Sequence, residues 1–153
     1  MDKRLFMIGL VLLLAGCQPA VQQPETPQPA APEVEYLSSG SSSLPFSEAV
    51  RVGNMLYLSG KIGSVPGEGL VEGGIQPETR QVMENIKAVL ERHGSSMERV
   101  VKCTVFLADI AEWGQMNEVY KTYFPTNPPA RSALGASGLA AGARVEIECI
   151  ATL

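Results

Sequence analysis

The sequence predicts an α+β domain in which two helices cover one face of a single sheet. Three observations carry this: a hairpin signal near residues 49–59, two stretches with helical apolar spacing, and two β-rich runs near 100–107 and 144–152. The hairpin comes first. Ala49 to Val52 and Met55 to Ser59 flank Gly53-Asn54, a pair that tolerates positive φ. Gly63 to Gly74 reads as a glycine-rich loop with Pro66. Pro77 then stands in a first helical turn, where its missing N–H costs nothing. Val82, Ile86, Val89 and Leu90 follow at i, i+4, i+7 and i+8, and Gly94 supplies the stop. Val100 to Leu107 is β-rich and reads as a strand. Asp109 with Glu112 resembles a capping box opening a second helix. Trp113, Met116, Tyr120 and Tyr123 would line its buried face, and Pro125 would end it. A loop rich in Pro and Thr leads to Arg131, and Arg144 to Thr152 is the last strand. With both helices on one face, the opposite face of the sheet needs a cover. A domain this small obtains one most simply from copies of itself, which implies a homo-oligomer.

The domain does not occupy the whole 153-residue chain. Met1-Asp2-Lys3-Arg4 is a basic start, and Leu5 to Leu14 is an apolar run of signal-peptide length, short of the roughly 20 residues a bilayer span needs. The run ends in Leu14-Ala15-Gly16-Cys17, which looks like a bacterial lipobox. That resemblance implies cleavage before Cys17 and lipidation of its thiol. The ensuing Gln18 resembles outer-membrane sorting, so the expected place is the cell envelope, lipid-anchored and facing the periplasm. Residues 1–16 are thus read as a signal peptide and 17–43 as a tether. Pro19, Pro24, Pro27, Pro29 and Pro32 favour extended polyproline II over packing, and Ser38 to Ser43 adds a flexible stretch. At about 3.1 Å per residue the proline-rich part reaches roughly 55 Å. The folded domain is then 44–153.

Composition narrows the chemistry. Twelve Lys and Arg face 16 Asp and Glu, a net charge of -4, and loss of Asp2, Lys3 and Arg4 would make it more negative. An acidic domain with no basic stripe argues against nucleic acid as partner. One histidine, His93, argues against a His-rich metal site and a Ser-His-Asp triad; it reads as a surface residue near a helix terminus. Three cysteines without a CxxC pair argue against a structural metal. Cys103 and Cys149 fall on apolar strand faces. Two buried thiols are preferred to a disulfide there, because bridging adjacent strands is geometrically awkward, although an envelope compartment permits one.

Two residues stand out. Arg131 lies in an otherwise uncharged stretch from Pro125 to Ala143. Its guanidinium fork suits a carboxylate, and a structural ion pair at a subunit interface is the alternative. Glu146 and Glu148 alternate with Val145, Ile147 and Cys149, which places both carboxylates on the face away from the helices. Glu148 suits a solvated strand end.

These residues sit in a series of motifs: Leu44-Pro45-Phe46-Ser47-Glu48-Ala49-Val50, Gly53-Asn54-Met55-Leu56-Tyr57-Leu58-Ser59-Gly60, Glu84-Asn85-Ile86-Lys87-Ala88-Val89-Leu90, and Val100 to Leu107. Met116-Asn117-Glu118-Val119-Tyr120, Pro129-Ala130-Arg131-Ser132 and Val145-Glu146-Ile147-Glu148 complete it. In this order they resemble the Rid (YjgF/YER057c/UK114) family from about Leu44 to Leu153. The resemblance implies a chorismate-mutase-like (YjgF-type) mixed sheet with two helices on one face, and a homotrimer with clefts between subunits. It also implies hydrolysis of 2-enamine and 2-imine acids to 2-keto acids and ammonia, with no metal or organic cofactor. Arg131 matches the arginine that clamps the substrate carboxylate, and Glu146 the glutamate proposed to position or activate water. Ser59, Gly60 and Asn117 match cleft-lining residues, and Phe46 an aromatic position often occupied by tyrosine. Lys61 stands where the family often has glutamine, and Ala133 where cysteine is common. A non-catalytic, lipid-anchored trimer that binds small carboxylates is the competing reading.

Overall fold

The computed structural model describes residues 30–38, 40 and 44–153. The signal peptide expected over 1–16, the lipidation site Cys17 and most of the tether lie outside the described residues.

The hairpin forms as its turn chemistry requires: β1 (Val34–Leu37), β2 (Ala49–Val52) and β3 (Met55–Leu58) make an antiparallel meander, with Gly53 and Asn54 between the last two. β1 lies within the stretch read as tether. Val34 and Tyr36 follow the last proline of that stretch, and pairing with β2 satisfies backbone groups that would otherwise face water at an edge. The folded unit therefore starts about ten residues before Leu44. The glycine-rich segment is more structured than a loop. It contains β4 (Lys61–Ile62), paired with the final strand, and a two-stranded ladder of β5 (Ser64–Val65) and β6 (Gly69–Leu70).

Helix α1 (Ile75–Arg92) buries Val82, Ile86, Val89 and Leu90, the expected stripe, and adds Ile75 and Met83. It ends in a Schellman arrangement: Ser95 N–H donates to the Leu90 carbonyl, Gly94 N–H to that of Glu91, and Gly94 takes φ 79°. Strand β7 (Val100–Leu107) follows, then a 3-10 turn at Ile110–Glu112 and helix α2 (Trp113–Tyr120). Only half of the expected capping box forms. Asp109 accepts from the Ala111 N–H, whereas Glu112 binds the Arg144 guanidinium instead of reaching back. Two further strands complete the chain, β8 (Ala130–Gly135) and β9 (Val145–Thr152). β8, read from sequence as part of a loop, runs parallel to β7 along its whole length.

The main sheet has the order β1-β2-β3-β9-β7-β8, with β4 also paired to β9. It is mixed, because β7 and β8 are parallel and the other pairs antiparallel. One face carries Leu56, Leu58, Val105, Leu107, Val145, Ile147 and Ala151 into the core with the stripe of α1 and with Met116 and Tyr120 of α2. At about 25 cal/mol per Å² this one apolar layer is the main source of the domain's stability. Glu78 is buried at 3% exposure and fastens the start of β9 to α1, its Oε1 accepting the N–H groups of Arg144 (2.7 Å) and Val145 (3.3 Å).

Cys103 and Cys149 are bridged, contrary to the preference for two free thiols. They are direct cross-strand partners on β7 and β9, 4.1 Å apart at Cα, where antiparallel partners approach most closely. Reading each cysteine on its own strand gave their shared face but not their shared register.

Candidate active site

Arg131 is held by one face of α2. Trp113, Asn117 and Tyr120, spaced i, i+4 and i+7, all reach it. The Arg131 Nη1 donates to Asn117 Oδ1 at 2.7 Å, and the guanidinium carbon lies 4.6 Å from the Tyr120 ring centre and 5.7 Å from that of Trp113. Trp113 was expected in the core with Met116 and Tyr120. It is instead 45% exposed, with its ring beside Arg131 on the edge strand β8. Among the described residues no carboxylate pairs with Arg131. Its positive charge is thus positioned and, among the described residues, unneutralised. Beside it lies a groove of about 480 Å³ walled by Asn117, Tyr120, Lys121, Phe124, Pro128 and Pro129. Burial pushes the Tyr120 phenol up to about 12, with the Arg131 charge opposing it, so the ring under the guanidinium stays neutral.

Glu146 belongs to a second group. It is partly buried, and its strand alternates as the sequence predicts: Val145, Ile147, Cys149 and Ala151 buried, Glu146 partly exposed and Glu148 exposed. Gly60 backs directly onto it. A Cβ built at Gly60 would lie 2.0 Å from Glu146 Oε1, so any larger residue there would displace this carboxylate from its present position. Ser59 is tied down beside it, its Oγ donating to the Ser47 carbonyl (2.7 Å) and its N–H to that of Glu48 (3.1 Å). Phe46, next to Ser47, is 56% exposed.

The register shows how the two groups stand to one another. Arg131, Cys103 and Cys149 are successive cross-strand partners, and partners share a face. Glu146 is three residues from Cys149, an odd offset, and so projects from the opposite face. The structure unites Arg131 with Asn117, and Glu146 with Gly60 and Ser59. It does not bring the two groups together in one chain, since the sheet lies between them.

A charged cluster escaped the sequence reading. Glu48 is 8% exposed and accepts from Arg92 Nη1 at 2.6 and 2.7 Å, with His93 Nε2 at 3.0 Å and Lys61 Nζ at 3.8 Å. His93 is therefore no free surface residue; its side chain is 12% exposed. Burial pushes the Glu48 carboxyl up, but hydrogen bonds from Arg92 and His93 and the Lys61 charge together hold it below its ordinary 4.5. Burial lowers Lys61 from 10.5, with Glu48 opposing. No sequence spacing announces this cluster, because its members come from 48, 61, 92 and 93 and meet only through the fold.

Three comparisons bear on these features. The family model described as Endoribonuclease L-PSP, Ribonuc_L-PSP, matches residues 38–153. A rat protein named 2-iminobutanoate/2-iminopropanoate deaminase is 47% identical over 107 residues, covering 69% of this chain and 78% of the relative. Among solved structures, that of YEO7 from yeast superposes with a TM-score of 0.73 at 41% identity, covering 78% of this chain and 98% of the other. That of E. coli TdcF with bound serine superposes at 0.68 with 33% identity, covering 72% and 89%. The mixed sheet, the two helices on one of its faces and a match that spans nearly all the described residues lead to one conclusion: the chain belongs to the Ribonuc_L-PSP (Rid/YjgF) family.

Proposed function

We propose that the protein hydrolyses 2-enamine and 2-imine acids to 2-keto acids and ammonia, at sites completed between copies of the chain. The observation that carries the reading is Arg131, gripped by three residues of α2, facing a groove and lacking a carboxylate partner among the described residues. The names of relatives at about this level of identity support the reaction class, and serine bound in TdcF supports a small amino-acid-like ligand.

The chemistry asks little of the protein. An imine carbon is already electrophilic, so the site needs an anchor, a water and one group that handles protons. Arg131 anchors the substrate carboxylate through its free N–H groups, a contact of about 1.5–3 kcal/mol. Glu146 orients a water and accepts its proton as the oxygen bonds to C2. The C=N pair moves onto nitrogen, which takes that proton to give a carbinolamine. Its hydroxyl then yields its proton to Glu146, the nitrogen is protonated, and the C–N bond breaks to leave the ketone and ammonia. A 2-enamine enters the same sequence after gaining a proton at C3 and losing one from nitrogen. Phe46, Ser59, Gly60 and Asn117 shape the cleft around these two residues.

Within one chain Arg131 and Glu146 lie on opposite faces, so the reaction requires a second copy. The face bearing Glu146 also exposes apolar side chains without a cover: Tyr36 (74% exposed), Tyr57 (43%) and Leu134 (43%). A homotrimer that seats this face against a neighbour's Arg131 edge would bury them and build the cleft together. We place the protein in the bacterial envelope, lipid-anchored through Cys17 on the strength of the lipobox-like Leu14-Ala15-Gly16-Cys17; the Cys103–Cys149 bridge suits an oxidising compartment.

The test generates 2-aminoacrylate and bulkier imines in situ with a lyase or an amino-acid oxidase and follows their loss. Acceleration by the wild type that disappears in Arg131→Ala, with the oligomer intact, is the expected result. A well-folded wild type that gives no acceleration would instead favour a carboxylate-binding module. An inactive, monomeric Arg131→Ala would make the arginine an interface ion pair.

A further inference from the structure

We propose that Glu48 is a positioning residue for the Ser59–Gly60 segment and, through Gly60, for the Glu146 carboxylate. The inference rests on the deaminase reading for its kinetic consequence but not for its structural one. Three parts of the fold converge on this single carboxylate: Arg92 and His93 from the C-terminal end of α1, Lys61 from β4, and Glu48 itself at the entry to β2. The backbone beside Glu48 is where the segment is held. The Glu48 carbonyl accepts the Ser59 N–H and the Ser47 carbonyl accepts the Ser59 hydroxyl. Gly60 comes next and passes so close to the Glu146 side chain that a Cβ there would lie 2.0 Å from its Oε1, so the position of Gly60 bounds the space this carboxylate can occupy. Lys61 and Ile62 then pair with Ile147 and Glu146 on β9. A displacement of Glu48 is therefore passed along two hydrogen bonds to Gly60, and from there onto the glutamate.

The position of Lys61 supports the same view. Burial opposes its charge, yet the chain places it directly after Gly60 and aims its ammonium at Glu48. Its ammonium, 3.8 Å from Glu48 Oε1, thus ties the residue that follows Gly60 to the same carboxylate.

The experiment uses the full chain and compares wild type with Glu48→Gln, which keeps the side-chain length and removes the charge. Arg92→Gln serves as the second variant, since Arg92 is half exposed and its loss leaves the core intact. Amide hydrogen exchange should rise about tenfold at Ser59, Gly60 and Lys61 in Glu48→Gln, and several-fold in Arg92→Gln, above any change in the strands of the core. In turnover of an imine generated in situ, kcat should fall about tenfold with KM changed less than about twofold, because Arg131 still holds the substrate. Unchanged exchange at 59–61, or a rise spread evenly over the sheet, would overturn the proposal and leave the cluster a purely structural one. So would an unchanged kcat. If the wild type itself turns over no imine, the deaminase reading fails and the exchange data alone decide the positioning role.

Discussion

Tyr120 does two jobs with one ring, and its substitutions separate them. Its face supports the Arg131 guanidinium, while its hydroxyl is buried without a hydrogen-bond partner among the described residues. Tyr120→Phe should leave turnover near wild type and raise stability by up to about 1 kcal/mol, because an unsatisfied buried hydroxyl is removed. A loss of stability in urea melts would mean that a neighbouring copy supplies the missing partner. Tyr120→Leu should lower kcat/KM by roughly 5- to 30-fold, the worth of a partly desolvated cation–π contact. Gly60→Ala, at a position where the new Cβ collides with Glu146, should fold but lose at least about tenfold in kcat. Glu48 contributes to stability on the acid side. Its carboxyl is held below 4.5, so the native state binds fewer protons there than the unfolded chain. The stabilisation is complete above that pH and disappears as the pH falls through the depressed value. Denaturant midpoints should fall more in the wild type than in Glu48→Gln between about pH 6 and about pH 3.

At the scale of elements, the most consequential link joins β7 to β9. The Cys103–Cys149 bridge closes a loop with a sequence separation of 46, for which chain entropy predicts roughly 4 kcal/mol. Reduction, or Cys103→Ala with Cys149→Ala, should lower Tm by many degrees without altering the order of strands. The elements also show what a sequence discloses. The hairpin, α1, β7 and β9 were legible because each carries its own periodicity or turn chemistry. β8 was not, because Ala130-Arg131-Ser132-Ala133-Leu134-Gly135 has no β-branched residue, and its strand character comes from pairing with β7. β1 was masked by the proline-rich run before it. The consequence reached the site: with Arg131 read as a loop residue, its face of the sheet could not be assigned, although that of Glu146 could. Trp113 was misplaced for a related reason, since helical spacing shows which residues share a face but not where the sheet beneath them ends.

The whole molecule is half of a site twice over. Each chain presents a guanidinium on the helix side of its sheet and a carboxylate on the other, with an uncovered apolar surface beside the carboxylate. On the proposed reading, such a chain would gain both a covered sheet face and a complete cleft by associating in a ring, where each interface pairs two different surfaces. If Cys17 is lipidated as proposed, each chain of such a ring would carry its own anchor, joined to the domain by the proline-rich stretch before β1.

Whether Arg131 and Glu146 act from different copies is decided by complementation. Arg131→Ala and Glu146→Gln chains, each inactive alone, are unfolded together, refolded as a mixture and assayed on an imine generated in situ. If sites form between copies, roughly a quarter of them in a random mixture regain both residues, and activity returns in that proportion. If a single chain supplies the whole site, the mixture stays as inactive as its components, and the account is contradicted.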